Sequence, residues 1–195
     1  MNLPPCIQFA ETVLKNGHTK HVEIEFRLGR KNRDMFDSNV GEQAFQRVQR
    51  RLQRYTGWEK VQVTEDEVYY WPNGTRCVYN ERTGNSVYIR KEKMIVSDMT
   101  SVPLDVRMAV SKEIPVPAPH DEATRNVSRK RTSYIRKNVS IDLTEVQGTS
   151  TGDIDDERKT VYQIEIEILN PTSLASIFDV YTILWKISDV LKICE

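Results

Sequence analysis

The chain has 195 residues, and its 28 basic and 28 acidic side chains balance to a formal net charge of zero. That length suits one domain, residues 1–195, with a substantial core. The neutral balance argues against a generic basic coat for duplex nucleic acid, so any anion binding must come from local clustering.

Three cysteines, Cys6, Cys77 and Cys194, are odd in number and widely spaced, and His18, His21 and His120 are scattered. This usage points to a reducing compartment, with neither a disulfide framework nor a zinc site. No apolar run reaches membrane-spanning length and the N-terminus lacks a signal-peptide core, so the chain reads as soluble and intracellular.

In chain order, residues 4–15 place Ile7, Ala10, Val13 and Leu14 at helical spacing, with Gly17 as a stop. Residues 21–29 then alternate strictly. Val22, Ile24, Phe26 and Leu28 fall on one side, and Glu23, Glu25 and Arg27 on the other. That is the period of a β-strand, on which residues two apart point the same way. Two such carboxylates can converge on one divalent ion, with a guanidinium just beyond to hold an anion.

Residues 31–37 read as a polar connection, and Ser38 as the cap of a second helix carrying Phe45, Val48, Leu52 and Tyr55 on one stripe. The opposite face carries Arg47, Arg50, Arg51 and Arg54, which reads first as a solvated surface and second as an RNA-contacting one. Residues 58–70 form one long strand or two. Pro72-Asn73-Gly74 and Thr83-Gly84-Asn85 are turn signals around a strand at 76–80, and another strand follows at 86–96 with Lys91 and Lys93 on one face. Residues 104–115 alternate Asp105, Arg107, Ala109, Ser111 and Glu113 against apolar residues, with a phase slip near Lys112, until Pro115, Pro117 and Pro119 end the ladder.

A hairpin is expected from residues 126–136 and 139–146, then a mobile polar loop over 147–157. The Glu-x-Glu pattern returns as Gln163-Ile164-Glu165-Ile166-Glu167-Ile168. Asn170-Pro171-Thr172 opens a closing helix with Leu174, Ile177, Phe178, Tyr181, Leu184 and Leu191 on its buried side.

So many alternating strands must expose edges or close on themselves. The expected fold is α+β: a closed antiparallel barrel of about eight strands with helices packed on the outside. With charged faces inward, its interior is a polar tunnel. Like charge repeated on one strand face, twice, is costly unless a cation or basic neighbours offset it.

These residues resemble a known family. Glu23-Ile24-Glu25-Phe26-Arg27 looks like the Glu-x-Glu-x-Lys/Arg signature of the triphosphate tunnel metalloenzymes, and residues 163–167 resemble their C-terminal Glu-x-Glu strand. The likeness is to the mRNA-capping RNA 5′-triphosphatases of fungi and large DNA viruses, with the standalone chlorovirus-like enzyme nearest in size and order. Arg76, Lys93, Arg107, Glu113, Arg129, Arg131, Asp142 and Thr144 fall in the matching order, over about residues 21–168. Gln163 stands where the family usually has a third glutamate, and Ser140 where it often has an arginine. The alignment leaves Lys91 against Lys93, and Asp66 against Glu67, open.

The resemblance implies hydrolysis of the γ-phosphate of triphosphate-ended RNA to a diphosphate end, the first step of capping, with nucleoside triphosphates as further substrates in the presence of manganese. It implies Mg²⁺ or Mn²⁺ on Glu23, Glu25 and Glu167, supported by Glu165. Arg27, Arg76, Lys91, Lys93, Arg107, Arg129 and Arg131 grip phosphate oxygens, Glu113 orients the water, and Asp142 steers an arginine. A capping guanylyltransferase is the partner such a product would serve, no membrane is involved, and the first helix favours a monomer. Three other readings stand beside it: a sister tunnel enzyme acting on tripolyphosphate or thiamine triphosphate, a non-catalytic polyphosphate- or RNA-end-binding module, and a plain β-sandwich.

Overall fold

The structure is a computed structural model that describes residues 3–148 and 160–195. Its elements are α1 (Leu3–Asn16), β1 (Val22–Asn32), β2 (Met35–Asp37), α2 (Glu42–Arg54), β3 (Lys60–Tyr70), β4 (Thr75–Asn80), β5 (Ser86–Met99), β6 (Asp105–Pro115), β7 (Arg125–Arg136), β8 (Val139–Gly148), β9 (Val161–Ile168) and α3 (Ile177–Cys194). Eight strands run in the order β1-β6-β5-β4-β3-β7-β8-β9, and β9 pairs back to β1, so the sheet closes. Every pairing is antiparallel. Short β2 adds to the far end of β1 as a ninth strand. Closure satisfies the edge groups that an open sheet of this size would expose.

The barrel is inverted on its helix-covered side. Ile24, Phe26 and Leu28 of β1, Val106, Met108 and Val110 of β6, and Ile164, Ile166 and Ile168 of β9 are almost completely buried on the outer face. They form one cluster with Phe9, Ala10 and Val13 of α1, Phe45, Val48 and Leu52 of α2, and Val180, Ile183, Leu184, Ile187 and Leu191 of α3. Phe9 meets Phe26 edge-on at 5.2 Å, and Phe45 lies 5.1 Å from Tyr162. The core thus sits between barrel wall and helices, which leaves the lumen to polar groups. Phe26→Ala should cost about 3–5 kcal/mol, as truncation of a buried aromatic does, and a lowered thermal midpoint measures it.

Several local expectations need correction. Residues 31–37 form a hairpin, with Arg30 opposite Asp37 and Asn32 opposite Met35. Gly29 permits this return, because a Cβ there would lie 2.2 Å from the Asp37 carbonyl oxygen. Ser38 does not cap α2; the cap is Gly41 at φ 78°, and Ser38 instead accepts a hydrogen bond from Gln163. Tyr55 lies beyond the helix and is 41% exposed.

β6 pairs straight through Lys112 with no slip, whereas β5 carries the irregularity, an extra residue at Met94 between Lys93 and Ile95. A bulge shifts strand parity and cannot be told from ordinary alternation in one strand alone. β8 continues through Gly148, and residues 149–157 of the expected loop lie outside the described residues. Pro171–Ser173 is only a single 3₁₀ turn; α3 begins later, on a Ser176/Asp179 capping box. That offset turns Phe178 outward, 76% exposed, and puts Val180 in the core. Among the described residues no helix is long and apolar enough to cross a membrane.

Candidate active site

Strand pairing gathers the charged faces around the lumen. On β1, Glu23, Glu25 and Arg27 stand opposite Ser111, Ala109 and Arg107 of β6. On the other side Glu25 faces Glu167, and Arg27 faces Glu165, across the closing seam with β9. Ser140 and Asp142 of β8 lie beside Glu167 and Glu165. Arg129 and Arg131 of β7, Asp66 of β3, Arg76 of β4 and Lys91 of β5 complete the ring by the same alternation. Both Glu-x-Glu strands are therefore immediate neighbours, although some 140 residues of sequence separate them.

Almost every charge is paired. Arg27 Nε lies 2.8 Å from Glu165 Oε1, and its Nη2 donates to Glu25 at 3.1 Å. Arg131 reaches Glu165 at 2.8 Å and Asp142 at 3.2 Å, while its Nε donates to Thr144 at 3.1 Å. Lys91 contacts Glu23 closely, Glu25 at 3.0 Å and Glu113 at 3.8 Å. Arg76 contacts the same Glu113 oxygen. Arg129 binds Asp66 at 2.9 Å. Arg107 forks onto Asp98 at 2.7 and 2.9 Å, under the Phe36 ring and beside Lys31.

This field separates the two carboxylates of β9. Burial alone would raise the Glu165 carboxyl, but the Arg27 and Arg131 guanidiniums override it and hold it at about 2. Glu167, two residues on, is pushed up to about 7 by burial and by Glu23 and Asp142. It has no hydrogen bond or ion pair among the described residues. Ser140 is directly opposite, and donates its hydroxyl to Asp142 instead. An arginine there, as the family often has, would neutralise Glu167; serine leaves it exposed to its acidic neighbours. For Lys91, burial opposes the charge, but Glu25 and Glu23 raise its pKa on balance.

Two features bear on what the lumen can hold. The Nε–H groups of Arg27, Arg76 and Arg129 are buried without a hydrogen-bond acceptor, although Arg27 Nε sits close to Glu165 at a poor angle. A buried donor left unmade costs about 1–3 kcal/mol, and phosphate oxygens in the lumen would supply acceptors. Arg27, Arg76, Lys91, Lys93, Arg107, Arg129 and Arg131, with Lys31 on Asp98, face Glu23, Glu25, Asp66, Asp98, Glu113, Asp142, Glu165 and Glu167, so positive and negative groups nearly balance. A triphosphate of about four negative charges would tip that balance, and an added cation would offset it.

Among the described residues no three acidic, histidine or cysteine side chains stand close enough to hold an ion as placed. The Lys91 ammonium lies against both Glu23 and Glu25. The donor set fits a hard cation once that lysine withdraws: it is all oxygen, and Glu167 lacks any other partner.

The structure brings together Glu23, Glu25, Arg27, Arg76, Lys91, Glu113, Arg129, Arg131, Asp142, Glu165 and Glu167. Arg107 is on the same face but turned to Asp98. Lys93 shares the face through its pairing with Ser111, yet is exposed and makes no ion pair among the described residues. Asp66, not Glu67, faces Arg129. Asp98 and Ser111, which donates to Glu23 at 3.0 Å, were not singled out from sequence. The Met94-Ile95-Val96 run was the available signal for Asp98, since three apolar residues in succession break alternation and mark the bulge.

Known proteins share the family and the fold. The model of the mRNA capping enzyme beta chain, the mRNA triphosphatase family, matches residues 28–181. It begins after Glu23 and Glu25, which the barrel itself places beside the matched strands. No curated protein matches by sequence alone. The RNA triphosphatase Pct1 of S. pombe superposes with a TM-score of 0.80 at 15% identity, over 100% of this chain and 93% of that one. The triphosphatase of the Mimivirus capping enzyme gives 0.71 at 16% identity, over 97% and 96%. At such identities the solved structures speak for the fold, and the family match for membership. With its closed tunnel and two adjoining Glu-x-Glu strands, the chain belongs to the mRNA-capping RNA triphosphatase family.

Proposed function

We propose that this RNA 5′-triphosphatase is a divalent-metal enzyme, and that the buried Nε–H donors of Arg76 and Arg129, which lack an acceptor among the described residues, mark where the triphosphate lies. In this reading Glu23, Glu25 and Glu167 hold Mg²⁺ or Mn²⁺. When bound, the ion neutralises charge on the γ-phosphate as a Lewis acid. Glu165 stays with Arg27 and Arg131 and fixes their guanidiniums. Asp142 and Thr144 hold Arg131 from its other edge. These arginines, with Arg76, Arg129, Arg107 and Lys93, take phosphate oxygens and stabilise charge as the bond to the β-phosphate breaks.

Glu113 orients the attacking water and accepts its proton. Water adds to the γ-phosphorus, the bridging oxygen leaves with the β-phosphate, and inorganic phosphate and a diphosphate-ended RNA result. That diphosphate end suits guanylyl transfer by a separate partner enzyme. Free nucleoside triphosphates present the same phosphates, so they should turn over with manganese.

The test compares phosphate release from triphosphate-ended RNA with magnesium, from ATP with manganese, and from tripolyphosphate. Release from the RNA is expected. Metal-independent binding with no released phosphate would leave only a binding module.

Glu167 also makes metal binding pH-dependent. Its carboxyl, raised from an ordinary 4.5 to about 7, holds its proton more tightly folded than unfolded. In the metal-free protein its stabilising contribution is therefore complete below about pH 4.5 and is lost as pH rises through about 7. A metal must displace that proton, so affinity should rise about tenfold per pH unit up to about pH 7 and then level off. Calorimetric titrations at three pH values measure this; a flat profile removes Glu167 from the ligand set.

A further inference from the structure

Outside the tunnel, the neutral chain gathers seven cations on one face. Arg47, Arg50, Arg51 and Arg54 project from α2, Arg136 and Lys137 from the β7–β8 turn, and Lys186 from α3. Among the described residues none makes an ion pair with a carboxylate, whereas most tunnel cations do. Arg47 donates to the Cys194 carbonyl and Arg50 to Gln46, both neutral acceptors. Crowding is felt directly: burial, then Lys137 and Arg136, lower the Lys186 pKa. Asp189, Glu59 and Glu195 also border the face, Asp189 engaged by Lys192 and Glu59 by the Lys137 backbone N–H.

The face is grooved. A cavity of about 330 Å³ lies between α2, the β7–β8 turn and α3, and a second of about 290 Å³ follows α2; Arg51 lines both. Tyr55 and Trp58 wall the first, with rings 5.1 Å apart, and the Arg136 guanidinium lies over Tyr55 at 5.3 Å. The aromatic rings wall the groove and hold Arg136 in place, and a groove lined by unpaired cations is the chemistry that tracks the phosphodiesters of single-stranded nucleic acid. The groove also reaches the barrel end at which β7 turns into β8: Lys137 sits in that turn, and Ser140, the residue opposite Glu167, is the second residue of β8.

We propose that this groove carries the single-stranded RNA that trails the 5′-triphosphate, its phosphodiesters on the arginines. The inference rests on the triphosphatase reading for its substrate, but not for its test. One experiment uses a 12-nucleotide RNA with a 5′-hydroxyl end, which needs no hydrolysis, and follows anisotropy against salt. Wild-type protein should bind with a log–log salt slope of about −0.7 per phosphate contacted. The triple variant Arg50→Ala/Arg51→Ala/Arg54→Ala, at exposed helix positions where alanine favours the helix, should bind at least tenfold more weakly with a shallower slope. Its KM for triphosphate-ended RNA should rise about tenfold, while tripolyphosphate hydrolysis stays within twofold.

Equal RNA binding by the variant, or equal affinity of the wild type for a polyglutamate peptide, overturns the assignment; the second result would make the groove a surface for acidic protein. Loss of all hydrolysis by the wild type would instead strike the triphosphatase reading and leave the binding arm standing.

Discussion

Glu25→Gln should cut metal-dependent phosphate release by about a thousandfold, the upper range for losing one strong electrostatic stabiliser in a closed site. Glu25 is only 6% exposed and touches both Arg27 and Lys91, with Glu167 directly across the strand pair. Glutamine keeps the shape and one acceptor oxygen but removes the charge that a metal requires. The fold should survive, because the outer core of Ile24, Phe26 and Ile166 supplies the barrel's packing and is untouched. The matched control is Glu65→Gln, which breaks an ion pair with Lys130 whose two side chains are each 57% exposed. A pair so open to water is worth little and lies on the far face, so its loss should change nothing measurable. Folded Glu25→Gln that retains more than a tenth of wild-type turnover would take Glu25 out of the metal site.

Much of this site was legible because strands write their faces plainly. Glu23, Glu25 and Arg27 alternate with Ile24, Phe26 and Leu28, and Glu165 and Glu167 with Ile164 and Ile166; period two assigns each to lumen or wall. Which face was the lumen followed from the excess of like charge, which an ordinary solvated sheet has no reason to repeat. What alternation could not carry was register. Opposition of Glu25 to Glu167, and of Ser140 to Glu167, depends on how distant strands slide past one another.

The Met94 bulge likewise reverses parity, so Asp98 reaches Arg107 although its number places it on the other face from Lys91 and Lys93. Helix starts were misplaced for a different reason. Ser38 and Asn170-Pro171 are good local openers, but the Ser38 hydroxyl is taken by Gln163, and Asn170 opens only a 3₁₀ turn, its side chain accepting from Thr172 while its backbone bonds Asn138.

The second large effect concerns Lys91, which links the metal-free state to the working one. Its ammonium, 16% exposed, sits on the carboxylates that would otherwise repel each other, as a single positive charge where a double one is expected. If Glu23 and Glu25 hold a metal, Lys91 would have to leave their oxygens and would then be a cation available to phosphate. Lys91→Met keeps the length and removes the charge. Metal should then bind at least tenfold more tightly, since no ammonium must be displaced, while turnover falls about a hundredfold for want of a phosphate contact. Without metal the variant should melt several degrees below wild type, because removing one partner leaves Glu23 and Glu25 buried and unbalanced, and saturating magnesium should restore most of that loss. Calorimetry of metal binding decides the matter independently of turnover. A Kd equal to or weaker than wild type would mean that Lys91 does not hold the ion's place, and that the carboxylates of β1 find their cation elsewhere.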